Sequence, residues 1–189
     1  LDEHIAYLKL GTFVTWRMEM DWKGFLRDAF EKLEKEEIPH LILDIRGNEG
    51  GADEVIEALV KYLVKRSLTL EGTKSLLRYQ RVPDELRPYL STWDETYFDI
   101  SAQVAPAGDG YYRQKGDDFG PVELPADKRA YKGKVYLLID AGNSSATFLL
   151  SRMARESGAA TLVGQETGGS LRGINGGMMF MLRLPNSRI

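Results

Sequence analysis

Lys134–Ser157 reads KVYLLIDAGNSSATFLLSRMARES, and its two halves carry different periods. Val135–Ile139 is an unbroken apolar run of the kind buried on both faces of a parallel sheet, whereas Ala146, Leu149, Leu150, Met153 and Ala154 recur at helical spacing. A strand that enters a helix through Gly142, Asn143 and Ser144 presents the first helical N–H groups, and any side chain on the turn, at one exposed point. Ser145 sits at that point. Asn143, Ser144 and Ser145 are also ordinary N-cap residue types, so capping alone accounts for them as readily as chemistry does.

The same strand–turn–helix unit occurs upstream. Leu41–Ile45 is a short apolar run that ends in DIRGNEGG, Asp44–Gly51, and a helical stripe follows through Val55, Ile56, Leu59, Val60 and Leu63. Gly47, Gly50 and Gly51 suit a chain reversal at positive φ, and a bare glycine backbone equally lets an N–H point at a substrate carbonyl. Before this unit, His4–Val14 predicts a strand. Asp21 caps a helix whose apolar stripe is Trp22, Phe25, Leu26, Ala29, Phe30 and Leu33. After the Ser145 helix, Ala160–Val163 predicts another short buried strand, Gly168–Gly177 a glycine-rich connection, and Met178–Leu184 a closing strand. Strands alternating with helices argue an α/β domain with a largely parallel sheet.

Between these units the pattern changes. Ser67–Arg81 reads as extended, with a hairpin turn at Glu71–Gly72. From about 82 to 129 no long period survives, and prolines and aromatics accumulate; we read an insertion in a single 1–189 core, partly helical over Asp84–Thr96. Tyr111, Tyr112 and Phe119 in it fit a loop pinned to the core as well as a cover over a site.

A net charge of −3 with no basic cluster provides no electrostatic footprint for nucleic acid. The absence of cysteine excludes disulfides, thiol nucleophiles and cysteine-ligated metal, and no His/Asp/Glu group has metal-ligand spacing. No window is apolar for long enough to span a bilayer, and LDEHIAYLKL has no signal-peptide pattern; the sequence opens almost directly into a strand and stops at Ile189 just after one, so it is expected to be a fragment of a longer protein with any targeting signal outside it.

DIRGNEGG, SSAT and LVGQETGG (Leu162–Gly169) together resemble the S41 serine peptidases, the C-terminal processing and tail-specific proteases with their tricorn-like relatives. DIRGNEGG is similar to the family pattern DLRxNxGG at nearly every position. The resemblance implies a ClpP/crotonase-like spiral, a peptide or protein substrate, no cofactor and no metal. It also implies a PDZ domain upstream in the same chain and an extracytoplasmic location, periplasm or cell surface. It makes Ser145, followed by Ala146, the nucleophile, and draws the oxyanion hole from the N–H groups of Ala146 and Gly50, with Gly51 as the alternative.

Two departures shape the expected mechanism. Phe148 stands where the family often has glutamate, and Ser170 stands on the general-base lysine of the processing peptidases, within the preserved frame GQETGGS. Ser170 and Glu166 are left as supporting residues. In the tricorn-like branch the base is a histidine upstream of the PDZ domain, and the only histidines here are His4 and His40. The resemblance therefore implies a base from outside the chain and an inactive isolated domain. The alternative is a non-catalytic peptide- or ligand-binding relative that has lost its base.

Overall fold

The computed structural model describes residues 4–70, 76–116, 121–171 and 177–187. The chain divides into two compact units, one of Leu1–Glu71 with Pro121–Ile174 and one of Gly72–Gly120 with Asn175–Ile189. In chain order the first unit supplies β1 (Ile5–Lys9), α1 (Trp22–Lys35), β2 (His40–Asp44), α2 (Glu54–Leu63) and β3 (Leu68–Leu70). The second supplies β4 (Leu90–Ser91), β5 (Val104–Gly108) and β6 (Tyr111–Gln114). The chain then returns to the first through β7 (Val122–Leu124), β8 (Lys134–Ile139), α3 (Ser145–Ser157) and β9 (Thr161–Gly164), and ends in the second with β10 (Met181–Leu182).

The first unit is built on a parallel sheet of order β1-β2-β8-β9. Its two central strands carry the fully buried Leu41, Leu43 and Leu137, and Ile45, just past β2, is buried as deeply. Each helix turns its apolar stripe to the same core, α1 through Leu26, Phe30 and Leu33, α2 through Val55, Ile56, Leu59 and Leu63, and α3 through Ala146, Leu150 and Ala154. Asp21 caps α1 as the sequence predicts, its side chain accepting from the Gly24 N–H at 2.9 Å. No helix among the described residues is long and apolar enough to cross a membrane.

The strands differ from the sequence expectations in instructive ways. The first stops at Lys9 instead of Val14, because the chain past Leu10 turns to meet the glycine turn after β2. β9 was expected to be buried, but it is the outer strand of the sheet and Val163 is 44% exposed; an apolar run reads alike at a centre and an edge. Phe25, on the α1 stripe, is half-exposed at the rim of an apolar cavity beside Met20 and Trp22.

The unit separate from the parallel sheet is Gly72–Gly120 joined by the C-terminal stretch, where the sequence suggests an insertion at 82–129. β7, within the expected insertion, pairs antiparallel with β3 in the first unit. The expected helix at Asp84–Thr96 is two 3-10 turns, Arg87–Tyr89 and Glu95–Phe98, split by β4. Of the expected closing strand only Met181–Leu182 is regular, paired antiparallel with β4. The Glu71–Gly72 hairpin and Phe119 lie outside the described residues.

Candidate active site

In a parallel sheet every strand ends at the same edge, and the turns that leave it gather there. Here β2 runs into residues 45–51, β8 into 140–144 and β9 into 165–169. The neighbouring registers Asp44↔Leu138 and Ile139↔Gly164 put the three turns side by side. His40 opens β2 opposite Ile5, so both His40 and His4 lie at the other edge, about 13 Å away at the rise of a five-residue strand.

The first two turns are stitched by buried polar groups. Asn143 and Asn48 are both 0% exposed. The Asn143 amide donates to the carbonyls of Ile45 at 2.6 Å and Asn48 at 3.0 Å, while its Oδ1 accepts from the Asp140 N–H at 2.8 Å. Thr147 Oγ1 lies 2.9 Å from the Asn48 carbonyl, and Ser144 Oγ donates to the Glu49 carbonyl at 2.8 Å. The Asp140 carboxylate accepts from the Gly47 N–H at 3.0 and 3.1 Å. On the other side the Gly168 N–H donates to the Asn143 carbonyl at 2.9 Å, which ties in the third turn. Unsatisfied, such groups would each cost about 1–3 kcal/mol; satisfied, they lock one arrangement of the turns.

That arrangement sets Ser145 against Gly50. A Cβ on Gly50 would stand 2.9 Å from the Ser144 carbonyl oxygen, 2.9 Å from Ser145 Cβ and 3.1 Å from the Ala146 nitrogen, so the approach needs glycine. Ser145 itself has φ 48°, left-handed backbone that few non-glycine residues adopt. It is the first residue of α3, and its hydroxyl makes no hydrogen bond among the described residues. Gly51 packs elsewhere, its Cα against the Phe13 backbone. Ser145, Ala146 and Gly50 are thus brought together, with Gly51 adjoining.

Asp44, at the head of the glycine turn, is buried and accepts from Arg46 Nε at 2.9 Å, Arg46 Nη2 at 2.8 Å and the Tyr7 hydroxyl at 2.6 Å. The guanidinium, with the Tyr7 and backbone bonds, holds its carboxyl far below the usual range although burial pushes the other way. A depressed folded pKa stabilises above the unfolded value, about 3.9, and that stability is lost as pH falls below it. We expect Asp44→Asn to cost about 2 kcal/mol at pH 7 in denaturant unfolding, a difference that shrinks below about pH 4 as the carboxyl of the unfolded wild-type chain protonates while the folded one stays ionised. A difference that grows in acid would refute this assignment.

The model of peptidase family S41 matches residues 4–181. The chain belongs to peptidase family S41. Solved structures with the same fold include mature CPAF, at 17% identity and TM-score 0.57 over 86% of this chain and 37% of that one. The photosystem II D1 C-terminal processing protease matches at 17% identity and TM-score 0.50, over 86% of this chain and 31% of that protein. A Parabacteroides merdae protein described as a peptidase matches at 19% identity and TM-score 0.56, over 90% and 42%. This S41 domain therefore spans between about a third and two fifths of those proteins' length. No curated protein matches it in sequence.

The two departures from the S41 pattern share a cavity of about 410 Å³ beside α3, lined by Phe148, Arg152, Arg155, Glu166 and Ser170 among others. Phe148 fills space under the third turn: a Cβ on Gly169 would come within 2.2 Å of its ring. Glu166 is exposed at the cavity edge. The tethering residues Asn48, Asp140, Asn143 and Thr147 are absent from the sequence-derived site. Asn48 stands on the asparagine of the DLRxNxGG pattern, whereas the only sequence signal of Asp140, Asn143 and Thr147 is polar residues crowded beside glycines, which ordinary turns share.

Proposed function

We propose that this S41 domain is the catalytic core of a serine endopeptidase that cleaves peptide bonds through an acyl-enzyme on Ser145. One observation carries the reading: a serine in left-handed backbone at the start of α3, its Cβ against Gly50 and its hydroxyl unengaged among the described residues. The glycine turn and the Ala146 N–H then form the oxyanion hole, and the positive end of α3 favours the charge that develops there. Ser145 attacks the scissile carbonyl, its proton passes to a base, and the amine departs with a proton; water repeats the sequence to release the acid.

The base comes from outside these 189 residues. A serine hydroxyl needs a base within hydrogen-bond reach, Ser170 occupies the family's lysine position, and His4 and His40 lie at the far edge of the sheet. The larger S41 structures leave ample further chain to supply a histidine. A ClpP/crotonase-like frame, an upstream PDZ domain and an extracytoplasmic location belong to the same proposal. We expect residues 1–189 alone to hydrolyse peptides at least about a thousandfold more slowly than a longer protein that carries them. Full activity of the isolated domain, or its loss in His40→Ala, would overturn the external base.

The binding-module alternative predicts peptide affinity without turnover in every length of the protein. The unengaged Ser145 hydroxyl favours the enzyme, since a binder would gain nothing from a strained serine at this point.

A further inference from the structure

We infer that the cavity between α2 and α3 takes a basic side chain, lysine or arginine, of the peptide held at Ser145. As a specificity device this rests on the peptidase reading above; as a binding site it does not. The cavity holds about 480 Å³, within the roughly 300–1,000 Å³ common for ligand sites. Its apolar wall comes from Ile56 and Val60 on α2, Leu149 and Met153 on α3, and Leu124 of β7. Asp53 and Glu57 line the same cavity.

Both helical walls start at the candidate site. Asp53 follows Gly51 by two residues, and Leu149 stands one helical turn, about 6 Å of rise, past Ser145 on the stripe Ser145, Leu149, Met153. Residues of an extended peptide lie about 3.3 Å apart, so one adjoining the bond presented to Ser145 reaches the cavity with a long side chain.

The charge at the rim sets the chemical class. Asp53 and Glu57 are exposed, four residues apart at the N-terminal end of α2, and neither carboxylate has a hydrogen bond or ion pair among the described residues. Although Asp53 is exposed as a residue, desolvation and then the Glu57 carboxylate push its carboxyl up, and no cation opposes them. Lys61, the cation of the described lining, is four residues past Glu57 yet forms no ion pair with it; Asp127, which it also faces, is already held by Arg129 at 2.6 Å. Acidic residues at a helix N-terminus also complement its dipole, but that role asks for no apolar wall beside them. An aliphatic wall with two like charges at its rim suits a side chain with an apolar stem and a cationic head. An apolar side chain would leave both carboxylates uncompensated, and an acidic one would add a third negative charge.

Peptides that differ only at the residue before the scissile bond, lysine, norleucine or glutamate, and a second set varied at the residue after it, test the inference on the full-length protein. We expect one of the two positions to favour lysine over norleucine by about tenfold in kcat/KM, and over glutamate by about a hundredfold. In Asp53→Asn/Glu57→Gln the ratio of lysine to norleucine is expected to fall to within about twofold, and in Asp53→Lys/Glu57→Lys glutamate is expected to overtake lysine. A merely structural role for the two acids would move all three peptides together. Should the variants fail to fold, the wild-type ratio read between about 50 and about 500 mM salt decides, since ions that screen the rim charges should shrink it severalfold. No lysine preference at either position, or a preference that neither the variants nor salt reduce, overturns the inference and leaves the peptidase reading intact. If the full-length protein hydrolyses nothing, fluorescence anisotropy on the same peptides replaces turnover. Tighter binding of the lysine peptide would then keep the cavity's assignment while the peptidase reading falls, and equal affinities would end both.

Discussion

Ser145→Ala is expected to lower peptide turnover by four or more orders of magnitude, to roughly the level that binding and oxyanion stabilisation sustain alone. The adjacent Ser144→Ala is expected to stay within about tenfold of wild type. The two serines differ in what they touch. Ser144 is the N-cap residue, in extended backbone at φ −140°, and its hydroxyl is spent on the Glu49 carbonyl. Losing that exposed bond costs about 1 kcal/mol and loosens one of several tethers between the turns. Ser145 is held at φ 48° with its Cβ on Gly50. Alanine keeps that backbone and removes only the hydroxyl, so the loss is chemical rather than structural. Steady-state kinetics on both variants decides it; equal activities would end the serine mechanism.

Gly50→Ala carries the second large expected effect. The added methyl would meet the Ser144 carbonyl oxygen, Ser145 Cβ and the Ala146 nitrogen at 2.9–3.1 Å, two of them backbone atoms that cannot swing aside, and φ 110° is hostile to any side chain. The turns must part by a few tenths of an ångström, which misaligns nucleophile and donor together. We expect kcat to fall by about two to three orders of magnitude. Gly47→Ala is the control. Its φ of 74° also disfavours alanine, yet a Cβ there meets nothing within 4 Å. It should cost about 1 kcal/mol of stability and leave kcat within about threefold. If Gly50→Ala and Gly47→Ala lost activity alike, backbone strain and not the contact with Ser145 would be responsible.

These expectations show which parts of the site could be read before the fold was known. Apolar runs followed by small-residue turns and helical stripes mark β2, β8 and α3 in the sequence, and parallel pairing then brings their turns to one edge. Ser145 and Gly50 stood out in the sequence only through the resemblance of SSAT and DIRGNEGG to the S41 motifs, since a strand–turn–helix junction by itself suits a helix cap and a chain reversal equally well. The tethers were not. Asn143 and Asn48 look like common turn residues, and only the assembled turns reveal that each is fully buried and bonded to a partner nearly a hundred positions away, or nearly forty in the Asn48–Leu10 case. Phe13 was legible as apolar but not as a backbone partner of Gly51, since hydrogen bonds from irregular chain leave no periodicity. The same limit explains the second unit, whose short ribbons β4–β10 and β5–β6 pair across distant or irregular stretches.

The claim on which all of this rests is that Ser145 is a nucleophile that an external base can activate. Fluorophosphonate labelling of the full-length protein, followed by mapping the adduct by mass spectrometry, tests it most directly. A single stoichiometric adduct on Ser145 is expected, retained in Ser144→Ala and absent in Ser145→Ala. An adduct on Ser144, an adduct that survives Ser145→Ala, or no adduct in a folded full-length protein would contradict it.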